Sequence, residues 1–176
     1  MAFSLYEASV PVYVRQLNAL SAILDKAAAY VAERKIEPSA IIQARLYPDM
    51  LPLVTQVQAA CSHARRGAAR LSGAEPAKVD GNETTFADLH ALIDKTVESL
   101  KQVDAKTMDG MEDREVTFPV GERQMTMSAD DYLLQFSMPN FYFHLTTAYC
   151  ILRHNGLEIG KGDFMGQGAA PVRQAA

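Results

Sequence analysis

Residues 132–152 read YLLQFSMPNFYFHLTTAYCIL, and the reading of this stretch decides the fold. It contains no Asp, Glu, Lys or Arg and is long enough to span a bilayer. Yet it carries Gln135, Ser137, Pro139, Asn140, His144, Thr146 and Thr147. So many polar groups would be costly in hydrocarbon, so the stretch reads as a helix buried inside a protein and not as a membrane span. Ser128 and Asp131 have the spacing of a helix cap before it, and Gly156 supplies its stop. Pro139 predicts a bend.

Three more helices are legible upstream. Ser4 and Glu7 have capping-box spacing, and Leu17, Leu20, Leu24, Ala27 and Val31 form one apolar stripe of a helix ending near Arg34. Pro11 predicts a kink or restart within it, and Pro38 and Ser39 open a short turn. Pro48 and Asp49 mark the second long helix, with Asp49 as its expected N-cap and Pro52 in its first turn. Its stripe is Met50, Leu53, Val57, Ala60, Ala64 and Leu71, and it stops at Gly73. Thr85 and Asp88 cap the third helix, with Phe86, Leu89, Ile93, Leu100 and Val103 on one face. Between the third and fourth helices, Val116, Phe118 and Val120 alternate with polar residues and Pro119. A turn at Gly121 then leads into Gln124–Met127, the pattern of a small edge β-hairpin. The expected fold is all-α, a four-helix up-and-down bundle with a hairpin inserted between helices three and four. Residues 1–166 form the domain, and 167–176 a loose tail.

The composition narrows the function. Of 176 residues, 48% are hydrophobic and 22% charged, as in an ordinary globular domain. The net charge of −4 lacks the basic field that gathers phosphates, so nucleic acid is not an expected partner. Arg65, Arg66 and Arg70 read as a solvated helix face. Cys61 and Cys150 lie among apolar residues at helical spacing and form no disulfide framework, which fits small core thiols in a reduced cytoplasm. The N-terminus has no basic segment followed by an apolar run, so no signal peptide is expected. No nucleophile elbow, phosphate loop, dinucleotide fingerprint or His-Glu-x-x-His is present.

Two polar sets remain. Asp49, Gln56 and His63 share one flank of the second helix, and Asn140 and His144 share the inner face of the fourth. Inward polar groups on facing helices are how bundles build metal sites; they also form buried hydrogen-bonded pairs that fix packing. His90 and His154 read as an exposed residue and a helix-end residue.

The stretches RLYPDMLPL (45–53), FYFHLTTAYCILRHNG (141–156) and GKGDFMG (160–166) resemble a bacterial family of unknown function in the DinB/YfiT-like superfamily of four-helix metalloenzymes. The resemblance runs from Leu5 to Gly166. In metal-binding branches of that superfamily, one histidine from helix two and two from helix four hold a divalent ion. The resemblance sets His144 on the last of these, twelve residues before Gly156, Asn140 on the one before it, and Gln56 on the helix-two position, with His63 as a competing match. Amide oxygens are weak ligands where zinc or nickel sites use imidazole, thiolate or carboxylate. The expectation is therefore a degenerate metal-type pocket of Gln56, Asn140 and His144 that holds no cofactor and takes a small polar ligand or serves an interaction. His63 is expected at the surface or rim. If a metal is present, zinc or nickel, His144 and His63 would hold it. The alternative the resemblance implies is a metal-dependent, thiol-cofactor-using transferase or hydrolase. The closing segment, with Glu158, Lys161 and Asp163, reads as a strap packing Ile159 and Phe164 onto the bundle. A homodimer is expected, from related bundles and from Val10, Val12 and Tyr13 as exposed apolar candidates.

Overall fold

Ser4 caps the first helix, its Oγ accepting the Glu7 N–H at 3.0 Å. Helix α1 then runs unbroken from Leu5 to Glu33 in the computed structural model, which describes residues 4–77 and 81–166. The expected tail at 167–176 lies outside the described residues. Pro11 does not restart the helix. Because the helix passes through it, Tyr13 and Val10 continue the Leu17 stripe upstream at the same three- and four-residue steps. Both are buried, which corrects their reading as exposed dimer contacts; Val12 is half-buried.

After the short helix α2 (Pro38–Ile42), α3 spans Leu53–Ser72. Its start lies later than expected. Asp49 sits in a turn, and Pro52 is itself the N-cap residue, extended at φ −70° and ψ 166°. A proline also disfavours helical geometry at the residue before it, so Leu51 cannot extend the helix backwards. The Leu53 N–H is met by the Ala44 carbonyl that trails α2, at 2.9 Å. Gly73, at φ 78°, closes α3 in the left-handed conformation that glycine adopts without a Cβ penalty. Helix α4 (Phe86–Lys101) starts at a reciprocal capping box of Thr85 and Asp88, as its spacing predicts.

Strands β1 (Glu115–Val120) and β2 (Arg123–Ser128) pair antiparallel, with Phe118 opposite Met125. Val116 and Phe118 point into the core. The short helix α5 (Ala129–Asp131) follows, then a π-helical turn (Tyr132–Ser137), then α6 (Met138–His154). The wide turn has a cause in the sequence. Pro139 has no N–H to give the carbonyl four residues back, and its ring crowds that carbonyl; a π turn makes room. The strap ends in α7 (Lys161–Met165). Ile159 is buried, the Phe164 ring packs edge-on against Tyr149 at 5.7 Å, and Lys26 donates to Asp163 at 2.6 Å.

The protein is thus mostly helical with one small hairpin. Helix α3 packs chiefly on α6 and α4, and α1 on α4. No helix among the described residues is long and apolar enough to cross a membrane. Cys61 is fully buried, and burial pushes its thiol up to about 12, while Cys150 is only half-buried.

Helix α3, α1 and the π turn meet at Gly67. A Cβ there would lie 2.5 Å from Ser137 Oγ and 2.6 Å from the Tyr13 hydroxyl, two atoms already joined by a 2.8 Å hydrogen bond. Alanine favours a helix by about 1 kcal/mol over glycine, but here overpacking outweighs that gain. Gly67→Ala should destabilise by about 1–3 kcal/mol in urea unfolding. Combining it with Tyr13→Phe, which removes one of the clashing oxygens, should recover part of the loss.

Candidate functional site

The α3–α6 interface holds the polar groups. Gln56, in the first turns of α3, is 1% exposed. Its amide nitrogen donates to the Leu51 carbonyl at 3.0 Å. A carbonyl only accepts, so the nitrogen must face Leu51 and the amide oxygen must face the other way. That oxygen lies 2.8 Å from His144 Nδ1 on α6. An amide oxygen also only accepts, so His144 carries its proton on Nδ1 and presents a lone pair on Nε2. The chain of partners, from a backbone carbonyl through one amide, sets the tautomer.

His63 lies beside this pair. Its ring stacks on that of His144 with centres 5.3 Å apart and planes 18° from parallel. Phe136 of the π turn is 6.5 Å from His63, and the Phe143 ring meets His144 nearly edge-on at 5.3 Å. His63 is therefore half-buried against α6, a rim position that also brings its ring against His144. Its seven-residue step from the inward Gln56 keeps it on the same flank, and that periodicity outweighs the polar neighbours Ser62 and Arg66. Burial pushes the His63 pKa down to about 4, with help from His144, Arg66 and Arg70; burial also lowers that of His144. Both rings are neutral at pH 7.

A pH dependence follows. Below pH 6.5, the ordinary value for histidine, the unfolded chain binds a proton that folded His63 refuses until about pH 4. Stability present above that range should fall as pH drops through it. The capped carboxylates Asp88, Asp130 and Asp163 are held below their ordinary 3.8, so they titrate under this window. Urea midpoints between pH 7 and pH 4.5 should decline in the wild type and decline less in His63→Gln, where only the lowered His144 remains.

The remaining candidates do not join this hydrogen-bonded pair. The Asn140 amide nitrogen donates to the Phe136 carbonyl on its own helix at 2.7 Å, and no hydrogen bond joins it to Gln56 or His144. A π turn beside a proline disturbs the backbone ladder, and Asn140 serves that disturbed segment. Asp49 precedes α3 and is exposed. His90 is not simply exposed: its Nδ1 is 2.9 Å from Ser21 Oγ and its Nε2 3.2 Å from Asp25, tying α4 to α1. Arg70 is not simply solvated either. It lies over the Phe118 and Tyr132 rings at 5.1 and 5.7 Å and donates to the Tyr132 hydroxyl.

A three-histidine metal site does not fit these residues. Both ends of the Gln56 amide are spent, Asn140 is turned to its own backbone, and only the two imidazoles remain as good donors. Among the described residues, no group of three or more His, Cys, Asp or Glu is arranged to hold an ion.

The backbone that carries this arrangement is that of a DinB-type helical protein. A crystal structure of a DinB family member protein from Shewanella denitrificans superposes with a TM-score of 0.89 at 34% identity, covering 97% of this chain and 96% of that one. Residues 5–165 match the family described as domain of unknown function DUF1993, and the chain belongs to that family. No curated protein matches it.

Proposed function

We propose that this protein is a four-helix up-and-down bundle, α1, α3, α4 and α6 with α2 and α7 as additions, whose degenerate metal-type site binds a small ligand. One observation carries the reading: Gln56 stands at the position that resembles a metal ligand, and its amide, anchored to the Leu51 carbonyl at 3.0 Å, holds His144 Nδ1 by a 2.8 Å hydrogen bond. The Nδ1–H of His144 is thereby partnered without any ion. His63 joins Gln56 and His144 at the site, with Asn140 one turn before His144 on α6.

The test is metal content in protein purified without an affinity tag, compared with His144→Ala. Well under one ion per chain is expected, and His144→Ala should lower stability while leaving metal content unchanged. Stoichiometric metal lost on His144→Ala would favour the second reading, a metal-dependent transferase or hydrolase. The adjacent His63 and His144 rings are the observation that keeps that reading in play. A cytoplasmic homodimer remains part of the proposal. With Val10 and Tyr13 in the core it would use another face, and light scattering against the 19.3 kDa chain mass decides it.

A further inference from the structure

A groove runs along the outer side of α1 where the strap packs on it. It holds about 970 Å³, a volume usual for small-molecule sites. Pro11, Val14, Ala22 and Ile23 of α1 form an apolar floor, and Gly162 and Gly166 of the strap line it without side chains. From Pro11 to Lys26 the helix gives it a length of about 22 Å. None of these residues belongs to the α3–α6 site.

Three charged side chains line the groove: Arg15, Lys26 and Asp163. Lys26 and Asp163 neutralise each other at 2.6 Å. Arg15 makes no ion pair among the described residues, and its Nε is shut off from solvent with no hydrogen-bond partner among them. A guanidinium held this way lies against the groove wall and not out in water. A part-buried charge without a counter-charge is costly, and a guanidinium can only donate. An anionic acceptor answers both needs, and the planar fork fits a carboxylate through two parallel N–H bonds. The other buried atom without a partner, Gln16 Oε1, belongs to a residue on a separate slot beneath Phe164 that has no room for a water.

Going beyond the reading above, we propose that the groove between α1 and the strap binds a carboxylate on an apolar chain. The carboxylate pairs with the Arg15 guanidinium, and the chain lies over Ala22 and Ile23 toward the Lys26–Asp163 pair. Charge complementarity selects this occupant. One cation unpaired among the described residues, near one end of an apolar floor, matches a single negative head on an apolar tail.

The experiment titrates the full chain with octanoate, 1-octanol and octylammonium, three probes with the same tail, and reads binding by calorimetry. Octanoate should bind once per chain and exceed the alcohol by about tenfold, the worth of one charge-assisted hydrogen bond. Octylammonium should be weaker than both. Arg15→Gln should bring octanoate down to the level of the alcohol, and Arg15→Lys should keep part of the preference. Ala22→Phe, at an exposed position on the groove floor, should weaken octanoate and octanol alike without lowering the melting temperature. Octanoate no better than the alcohol, octanoate binding untouched by Arg15→Gln, or no binding of any probe overturns the proposal. A groove filled by a second copy of the chain, seen in light scattering as a dimer that Arg15→Gln splits, overturns it too.

Discussion

Phe118→Ala is expected to cost about 3–5 kcal/mol of stability, the usual range for emptying a buried aromatic position. Phe118 is 1% exposed and is the hairpin's main anchor. Its ring lies 4.9 Å from Tyr132 and 4.5 Å from Phe136, and the Arg70 guanidinium covers it at 5.1 Å. Deleting it removes the contact that presses β1 onto the π turn, and leaves Arg70 over a cavity. The effect should reach the candidate site, because Phe136 also borders His63. With that wall loosened, water should enter and the His63 pKa should rise from about 4 toward its ordinary 6.5. Urea unfolding measures the first effect and NMR titration of the His63 ring the second. A loss under about 1 kcal/mol, with His63 unmoved, would show that the hairpin is an appendage.

What the sequence disclosed and what it hid follow from the range of each signal. Ser4, Thr85 and Asp88, Gly73, Gly121 and Gly156 act within a few residues, so those caps, the stops and the hairpin turn were legible, whereas Asp49 was not the cap of α3 because Pro52 holds that place and makes no side-chain cap. The stripes in α1, α3 and α4 were legible because helical periodicity depends only on spacing. Pro11 misled because a proline's effect depends on whether the surrounding stripe holds the helix together, and here Val10 and Tyr13 belong to that stripe. Asn140 shares the face of His144 by its four-residue spacing within α6, but which group its amide bonds was not legible. The π turn changes the hydrogen-bonding pattern at that point, and nothing short of the backbone shows which carbonyl is left needing a donor. His63 was recoverable from its seven-residue step to Gln56, had that step been weighed above its arginine neighbours. Its stacking on His144 belongs to tertiary packing, which spacing on one helix cannot reveal.

If loss of ligand chemistry, and not loss of geometry, is what disarms the site, then restoring the ligands should rearm it. Gln56→His with Asn140→His is expected to bind about one zinc or nickel ion per chain where the wild type is expected to bind well under one. The resemblance places both positions, with His144, on the helix-two and helix-four ligands of the metal-binding branches, and the near superposition on a DinB family member keeps the backbone frame that those positions need. The substitutions carry a cost. Asn140→His gives up the 2.7 Å bond to Phe136, and Gln56→His releases the clamp on His144, each worth about 1 kcal/mol. The metal-free variant should therefore be less stable than the wild type. Zinc at about a hundredfold over its dissociation constant should return about 2.7 kcal/mol, so the melting temperature should climb with added zinc in the variant and stay flat in the wild type. His144→Ala in the variant background should abolish the zinc response, which separates a built site from stray binding by surface histidines such as His154. A double variant that folds yet gains no zinc-dependent stability would show that the α3–α6 spacing itself, and not the two amides, is what excludes the metal.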